Sequence, residues 1–287
     1  MRTHAASIVR LFVRPAMLCV LLLVPAAEVH AEWVLGAEGV VVYESNLTRA
    51  TREVDRESGV ALVPWFSFGH YFQLTDATGL LATFDFKATI YPEFAGLTNF
   101  SPTLNLGVRH KFGLGAFAPW LRVFASGGAI DYGDDVRDTA LVDVGAEVGK
   151  RFSERVDVRF GYTYERLDAN DRVFDGDSHT LSLRSIVGLT SDLYLTLGYA
   201  VRWGDLVVHR TPGPGDWAAP DARIVNTFNR PMTAVRIDAT THFASIALGW
   251  ALTPHTSLNA GYEYQISIGP QFDYPNHVVR ASFDYNF

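Results

Sequence analysis

His277-Val278-Val279-Arg280-Ala281-Ser282-Phe283-Asp284-Tyr285-Asn286-Phe287 closes the chain, and its residues sort by parity. Val279, Ala281, Phe283, Tyr285 and Phe287 fall on one parity; Val278, Arg280, Ser282, Asp284 and Asn286 fall on the other. Successive side chains of a strand point to opposite faces, so this is a strand with one apolar and one mostly polar face. A soluble sandwich uses the same alternation. Two features point elsewhere: the apolar face ends in aromatics, and the final residue is itself Phe287.

At the other end, Arg2, Arg10 and Arg14 precede an apolar run from Ala16 to Ala27, followed by Glu28-Val29-His30-Ala31. The pattern predicts a secretory leader over residues 1–31, cleaved after Ala31. Its apolar run is about a dozen residues, too short to span a bilayer as a helix. Cys19, the one cysteine, lies inside it, and Ala16-Met17-Leu18 does not form a lipoprotein box. Residues 32–287 then contain no cysteine, which excludes disulfides, thiolate catalysis and cysteine metal sites. Losing the leader removes three arginines and one glutamate, leaving 21 basic and 30 acidic residues and a net charge of −9. That balance argues against nucleic acid as a partner. No later run of about 18 apolar residues exists to form a membrane helix.

Alternation continues through twelve segments: 33–43, 59–73, 79–92, 99–112, 116–130, 138–152, 155–167, 178–189, 192–203, 240–252, 256–268 and 277–287. In 256–268, Leu258, Ala260, Tyr262, Tyr264, Ile266 and Ile268 face one way, and Ser257, Asn259, Gly261, Glu263, Gln265 and Ser267 the other. Tilted membrane strands need about 9–11 residues, which these segments supply. The connections alternate in length. Leu74–Thr78, Gly113–Gly115, Ser153–Glu154, Thr190–Ser191 and Thr253–His255 are short; Glu44–Ser58, Glu93–Thr98, Asp131–Arg137, Asp168–Asp177, Gly204–Ala239 and Gly269–Asn276 are longer. A soluble sandwich has no reason to keep that alternation, whereas outer-membrane barrels have short periplasmic turns and long outer loops. The reading is an all-β fold: a closed antiparallel transmembrane β-barrel of about 12 strands over residues 32–287. Phe72, Phe112, Phe152 and Phe287 would form the periplasmic aromatic girdle, and Tyr43, Tyr91, Tyr164 and Trp203 the outer one.

The final strand resembles the closing strand of Gram-negative outer-membrane β-barrels, which ends in an aromatic residue recognised by the barrel assembly machinery. That resemblance makes Phe283, Tyr285 and Phe287 the assembly signal. Tyr43-Glu44-Ser45-Asn46 is similar to the Tyr-Asp-Ser-Asn-like opening of porin-like barrels, with Glu44 where Asp is common. Serine and asparagine after a strand are also ordinary turn formers.

If the apolar parity faces lipid, the other lines the lumen. It carries Asp85, Lys87, Arg109, Arg122, Asp143, Glu147, Arg159, Arg184, Arg202, Glu263 and Arg280, with Glu38, Lys111, Asp157, Glu165 and Asp284 beside them. Isolated ions are costly in a dry interior, so these are hydrated or paired. Eight-stranded barrels fill with side chains and those of 16–18 strands leave a channel; twelve lies between. Equal numbers of each sign predict little selectivity unless the signs segregate by height.

Chemistry of other kinds finds little footing. A twelve-stranded outer-membrane phospholipase would share the strand number, but its His-Asp-Ser-Asn-Gly-like motif is absent. Ser178 and His179 are neighbours in a strand, so they point apart and share no proton. His70, His110 and His242 fall on the lipid parity with no assembled triad. The seven histidines after His30 form no ligand spacing, so no metal or cofactor is expected. Solvated acidic loops account for Asp134, Asp135, Asp168, Asp171, Asp175 and Asp177.

Gly204–Ala239 is 36 residues long and carries Pro212, Pro214, Pro220 and Pro231, plus Trp217, Arg223 and Arg230. Loops of this length are usually functional or disordered. It is expected to constrict or cap the lumen, with Arg223 and Arg230 pairing with Glu165 or Glu263. Pairing of Ile224–Thr227 with Thr233–Asp238 as an extra hairpin is the alternative. The function expected is a porin-like outer-membrane channel for small hydrophilic solutes, set among lipids and lipopolysaccharide. An outer-membrane enzyme acting on lipid, and a closed structural or export-partner barrel, are the rivals.

Deleting Phe287, or replacing it with Asp, should lower outer-membrane assembly, read as loss of heat-modifiable, membrane-inserted protein. Normal levels of that variant would remove Phe287 from the assembly signal.

Overall fold

The computed structural model describes residues 31–216, 219, 221–270 and 273–287. The expected leader lies outside these residues save Ala31, which begins the first strand. The strands are β1 (Ala31–Glu44), β2 (Gly59–Thr75), β3 (Thr78–Thr89), β4 (Asn99–Lys111), β5 (Trp120–Tyr132), β6 (Thr139–Arg151) and β7 (Val156–Ala169). There follow β8 (Gly176–Gly188), β9 (Leu193–Arg210), β10 (Ala222–Val225), β11 (Met232–Ala251), β12 (Thr256–Ile268) and β13 (Asp273–Asn286). Each wall strand pairs antiparallel with its chain neighbours, β9 pairs directly with β11, and β1 closes on β13. The wall is thus a closed barrel of twelve strands, with β10 outside it.

Closure leaves no strand edge in lipid, where an unpaired N–H or C=O would cost several kcal/mol. The period of two then sends apolar residues outward. Phe66, Phe68, Leu104, Leu106, Val123, Val148, Leu197, Ile246, Leu248 and Phe283 are all exposed on the outer wall. Phe112, Phe152, Phe287 and Trp250 ring the periplasmic end, and Tyr43 and Trp203 stand exposed near the outer end. Tyr91 departs from the expected outer girdle. It shares the parity of Asp85 and Lys87 and lines an inner cavity. The wall has no apolar core of its own; among the described residues, the three buried apolar clusters all involve the outer loops and the tip of β9–β11.

Three stretches depart from the expected bounds by four residues or more, and one of them is β13, which starts at Asp273 rather than 277. β5 begins at Trp120 rather than 116, because Gly113 (φ +109) and Gly115 (φ +85) turn the chain and Pro119 has no N–H to give to a ladder. The connection expected over Gly204–Ala239 is mostly strand: β9 runs to Arg210, β11 starts at Met232, and β10 pairs with Met232–Val235. Of the expected extra hairpin, Ile224 and Val225 do pair, with Thr233 and Met232, while Thr233–Asp238 also pair along their length with Asp205–Arg210 of β9. Leu206-Val207-Val208 and Val235-Arg236-Ile237 are rich in β-branched residues that favour pairing even above the membrane.

Aromatic side chains on the inner face lie flat over cross-strand glycines. Trp120 pairs in register with Gly149, and a Cβ on that glycine would sit 2.2 Å from the indole. Tyr194 covers Gly249 at 2.1 Å in the same way. The Trp120 ring in turn carries Arg109, whose guanidinium stands 4.4 Å from its centroid.

Gly149→Val should therefore displace Trp120 and lower stability by about 1–3 kcal/mol, the usual range for overpacking. A lower urea midpoint for the folded, heat-modifiable form checks this; an unchanged midpoint would show that Trp120 has room to move.

Candidate functional site

The site is the lumen together with the hairpin that crosses its outer mouth. Gly204 starts the crossing, at φ +137, a conformation open to glycine and strained for other residues. Below it Arg202 faces the lumen. Above it Asp205 and Val207 line that same cavity, which strict alternation from Arg202 would forbid. The wall strand folds inward at this point. Leu206 and Val208 face the opposite way, against Ala239, Val235, Ile237 and Tyr274.

The tip of the hairpin reaches the far wall. β9 and β11 stand six strands around the ring from the β3–β4 connection, yet Phe228 packs on Phe94 with centroids 5.3 Å apart, and Asn229 Nδ2 donates to Glu93 O at 2.6 Å. Phe94, Leu97, Phe228 and Met232 form one buried cluster, with Leu47 and Tyr91 against it. Val173, Phe174, Val225 and Ala234 form a second. Polar ties reach the other loops: Thr227 Oγ1 donates to Asp134 at 2.7 Å, Thr211 N to Asp55 at 3.0 Å, and Arg230 pairs with Glu57 at 2.7 Å. Arg223 pairs with Asp171. The expected partners of Arg223 and Arg230, Glu165 and Glu263, are thus replaced by loop carboxylates, because the hairpin lies across the rim rather than dipping to the wall residues. Trp217 lies outside the described residues.

The Tyr43-Glu44-Ser45-Asn46 stretch has a local task that a sequence match does not reveal. Asn46 is 2 % exposed, and its amide donates to Ala50 O (3.0 Å) and Pro275 O (2.9 Å) while accepting from Ala50 N (2.9 Å) and Thr48 Oγ1 (3.1 Å). Asn276, on β13, receives Asn46 N (3.0 Å) and Ser45 Oγ (3.2 Å) and donates to Glu44 Oε2 (3.2 Å). This seam fixes the first loop to the last strand and sets Arg49 in the left-handed region, φ 51. From there Arg49 lines both cavities beneath the hairpin.

Those cavities, about 390 Å³ and 310 Å³, share Arg49, Ile130, Tyr132, Arg137 and Val207 and form one chamber. Lower in the lumen a third, about 360 Å³, is lined by Glu38, Arg184, Glu263 and Arg280. Three arginines of the inner face hold carboxylates: Arg202 with Glu165 (3.4 Å), Arg280 with Glu263 (3.4 Å), and Arg159 with Asp157 of its own strand (2.8 Å) and Glu147 of the next (4.0 Å). Asp85 accepts from Ser67 Oγ (2.6 Å) and Asn105 Nδ2 (3.0 Å), and Asp143 from Ser126 Oγ (3.0 Å). Arg122 lies over Phe124 at 5.2 Å. Among the described residues Lys87, Arg109, Arg122 and Arg184 have no carboxylate within ion-pair distance. Ser178 Oγ points inward to Glu165 (3.4 Å), while His179 points outward, its Nδ1 hydrogen-bonded with the Tyr162 hydroxyl at 2.8 Å. Serine and histidine stand on opposite faces, with no nucleophile–base contact. No group of three His, Asp or Glu side chains suited to a metal occurs among the described residues.

A model of the outer membrane protein beta-barrel domain matches residues 119–287, more than half of the chain. The chain belongs to that family. It resides in the outer membrane of a Gram-negative bacterium. Its fold is similar to that of an outer membrane channel from Pseudomonas putida F1, with a TM-score of 0.58 and 15% identity over 92% of this chain and 99% of that one. It is also similar to the NanC porin (TM-score 0.47, 10% identity, 88% and 98% of the two chains). The translocator domain of the autotransporter NalP from Neisseria meningitidis matches with a TM-score of 0.41 and 12% identity over 89% and 88%. No curated protein matches the chain.

His209 carries the hairpin's sensitivity to acid. It is 3 % exposed, stands edge-on to Phe228 at 5.0 Å, and receives Arg137 Nη1 at 3.5 Å on Nε2. Burial first, then the positive charge of Arg137, lowers its pKa from 6.5 to about 3. A released hairpin would take up a proton below pH 6.5 that the docked one refuses. Docking is therefore at full strength above pH 6.5 and weakens as pH falls toward 3, by up to about 1.4 kcal/mol per pH unit. Burial pushes the Asp55 and Asp216 carboxyls up. Hydrogen bonds from Thr211 and Arg52 to the first, and from Gly213, Thr233 and Arg210 to the second, outweigh it and leave both below the usual carboxylate range, so they act only at lower pH. Exchange protection of the Val207–Arg210 amides, corrected for intrinsic rates, should fall between pH 7 and pH 5 in the parent and stay flat in His209→Gln. Equal pH dependence in both proteins would take His209 out of the account.

Proposed function

We propose that the protein is an outer-membrane channel through which small hydrophilic solutes diffuse passively, with the β9–β11 hairpin as the constriction. The observation that supports it is the set of cations on the inner face with no carboxylate partner: Lys87, Arg109, Arg122 and Arg184 (two of them stacked on aromatic rings). A barrel built only as a closed scaffold would gain by pairing or replacing such charges, since burial without a partner costs several kcal/mol. Hydration keeps them in place, and a hydrated lumen is a path. On this reading the protein acts without a cofactor and without catalysis; Ser178 and His179, on opposite faces of β8, form no nucleophile–base pair.

On this reading Asp85, Asp143, Glu147, Arg159, Arg202, Glu263 and Arg280 keep the path polar. Trp217, Arg223 and Arg230 belong to the constriction, the two arginines by holding it across the rim. Residues 1–31 direct export, and Phe283, Tyr285 and Phe287 present the closing strand to the assembly machinery. Lipid and lipopolysaccharide surround the outer wall.

Trp203 and Thr240 are direct partners across β9 and β11, so replacing residues 204–239 with Asn-Gly leaves a two-residue hairpin loop of a favoured kind. In planar bilayers that variant should conduct at least twice as much per channel as the parent. Arg223→Gln with Arg230→Gln should shift conductance the same way by less. Insertion at normal levels with unchanged conductance would move the constriction to the wall residues, and a silent membrane with every variant would sink the channel reading itself.

A further inference from the structure

The chamber beneath the hairpin carries its own recognition chemistry. Its smaller part, about 310 Å³, is lined by three cations, Arg49, Lys87 and Arg137, against a single carboxylate, Glu44. Glu44 is engaged by Asn276 Nδ2 at 3.2 Å. Among the described residues none of the three cations has a carboxylate within ion-pair distance. Arg137 is sandwiched between Phe174 (4.5 Å) and Tyr132 (5.4 Å), and its Nε is buried without a hydrogen-bond partner. Burial lowers the pKa of Arg49 and of Arg137, and for Arg49 the like charges of Arg202 and Arg137 add to it. Like charges gathered this closely repel, and an arrangement that persists needs a reason. Arg49 adds a second observation: a long non-glycine side chain held at positive φ by the Asn46 seam, a kind of local strain that clusters at ligand sites.

The remaining lining is mixed. Leu47, Leu97, Ile130 and Val207 and the rings of Tyr91 and Tyr132 give it an apolar side, and Thr89, Asn99, Ser101 and His209 a polar one. An apolar side facing convergent charges can orient a small amphiphilic molecule, and this volume is at the low end of the range for small-molecule sites, roughly 300–1,000 Å³. A guanidinium held flat by stacking offers the paired N–H geometry that a carboxylate accepts.

We propose that this smaller part of the chamber, set apart from the larger part where Glu165, Asp175 and Asp205 add negative charge, is a binding site for a small monocarboxylate with a compact apolar body, about the size of benzoate. The carboxylate meets Arg49 and Arg137, with Lys87 supplying charge from the wall below, and the body lies against Tyr91, Ile130 and Val207. The site deepens the channel reading, in that its solute arrives and leaves through the lumen, but binding can be measured without conduction.

The test uses the full mature barrel refolded in detergent, with titration calorimetry of benzoate, benzyl alcohol and benzylammonium at pH 7.5 and low salt. Benzoate should bind with at least tenfold higher affinity than either of the other two. Arg137→Gln and Arg49→Gln should each weaken benzoate at least tenfold, and Arg49→Lys should recover most of the loss at position 49. Heat-modifiability on gels certifies each variant as folded, and Lys87→Gln, on a wall strand away from the hairpin, gives an arm that does not depend on hairpin docking; it should weaken benzoate several-fold. Equal affinity for benzyl alcohol, or folded variants that bind benzoate as the parent does, would overturn the proposal. Benzoate binding in a protein that never conducts would support the site while refuting the channel; conduction without benzoate binding would do the reverse.

Discussion

A chain that crosses a bilayer in strands has no water to satisfy its backbone, so every N–H and C=O of the wall must find another strand. The pairing of β1 with β13 and of β9 with β11 meets that demand around the whole ring. Much else follows from closure. Alternation becomes a sorting of side chains between lipid and lumen, and the apolar half has no interior to fill. The buried clusters that a soluble domain would place at its centre are displaced to the outer rim. There, Met232 and Ala234 reach 0 % exposure while wall residues such as Leu248 and Val123 remain open to lipid.

That displacement gives the rim its mechanical character. The hairpin is held by two apolar clusters and by polar ties to four separate loops, each tie worth about 1 kcal/mol in net terms. Several of them must break together for the mouth to clear, so opening is a cooperative local event within a wall that stays intact. The wall and the hairpin share β9 and β11 but separate at Gly204, where the ladder continues and the facing changes. A glycine there lets one strand belong to two structures.

The alternation of polar and apolar residues makes ten of the twelve wall strands legible to within four residues at either end, because facing is a local property with period two. β9 and β11 depart most, by seven and eight residues, because their pairing continues past the change of facing at Gly204; the start of β5 is four residues off, where Pro119 is the signal. The alternating loop lengths made topology legible for a related reason: the two sides of a membrane impose different demands on connections. What stayed hidden depends on contacts between residues far apart in sequence. Asn276 anchors Asn46 across a separation of 230 residues, and Thr211 reaches Asp55 across 156. Tyr91 has the height of an outer-girdle residue but the parity of Asp85 and Lys87, and parity decides its place in the lumen. His209 and Arg137 gave no local signal, since neither lies in a motif and their burial comes from a hairpin folding back over the barrel.

The charges of the inner face, eight of each sign by composition, do not separate by height once the pairs are removed. Arg202 with Glu165, Arg280 with Glu263, and Arg159 with Asp157 and Glu147 nearly cancel. Of the remainder, Asp284 lies toward the periplasmic end, where it accepts from Asn259 at 2.6 Å and Ser257 at 3.3 Å. Arg109, Lys111 and Arg122 stand at that same end of β4 and β5. Asp85 and Lys87 share the outer half of β3. On the channel reading, the wall therefore discriminates little between anions and cations, and the excess of positive charge is local to the chamber under the hairpin, where Arg49 and Arg137 from the loops join Lys87. Low-dielectric walls strengthen that local attraction relative to open water.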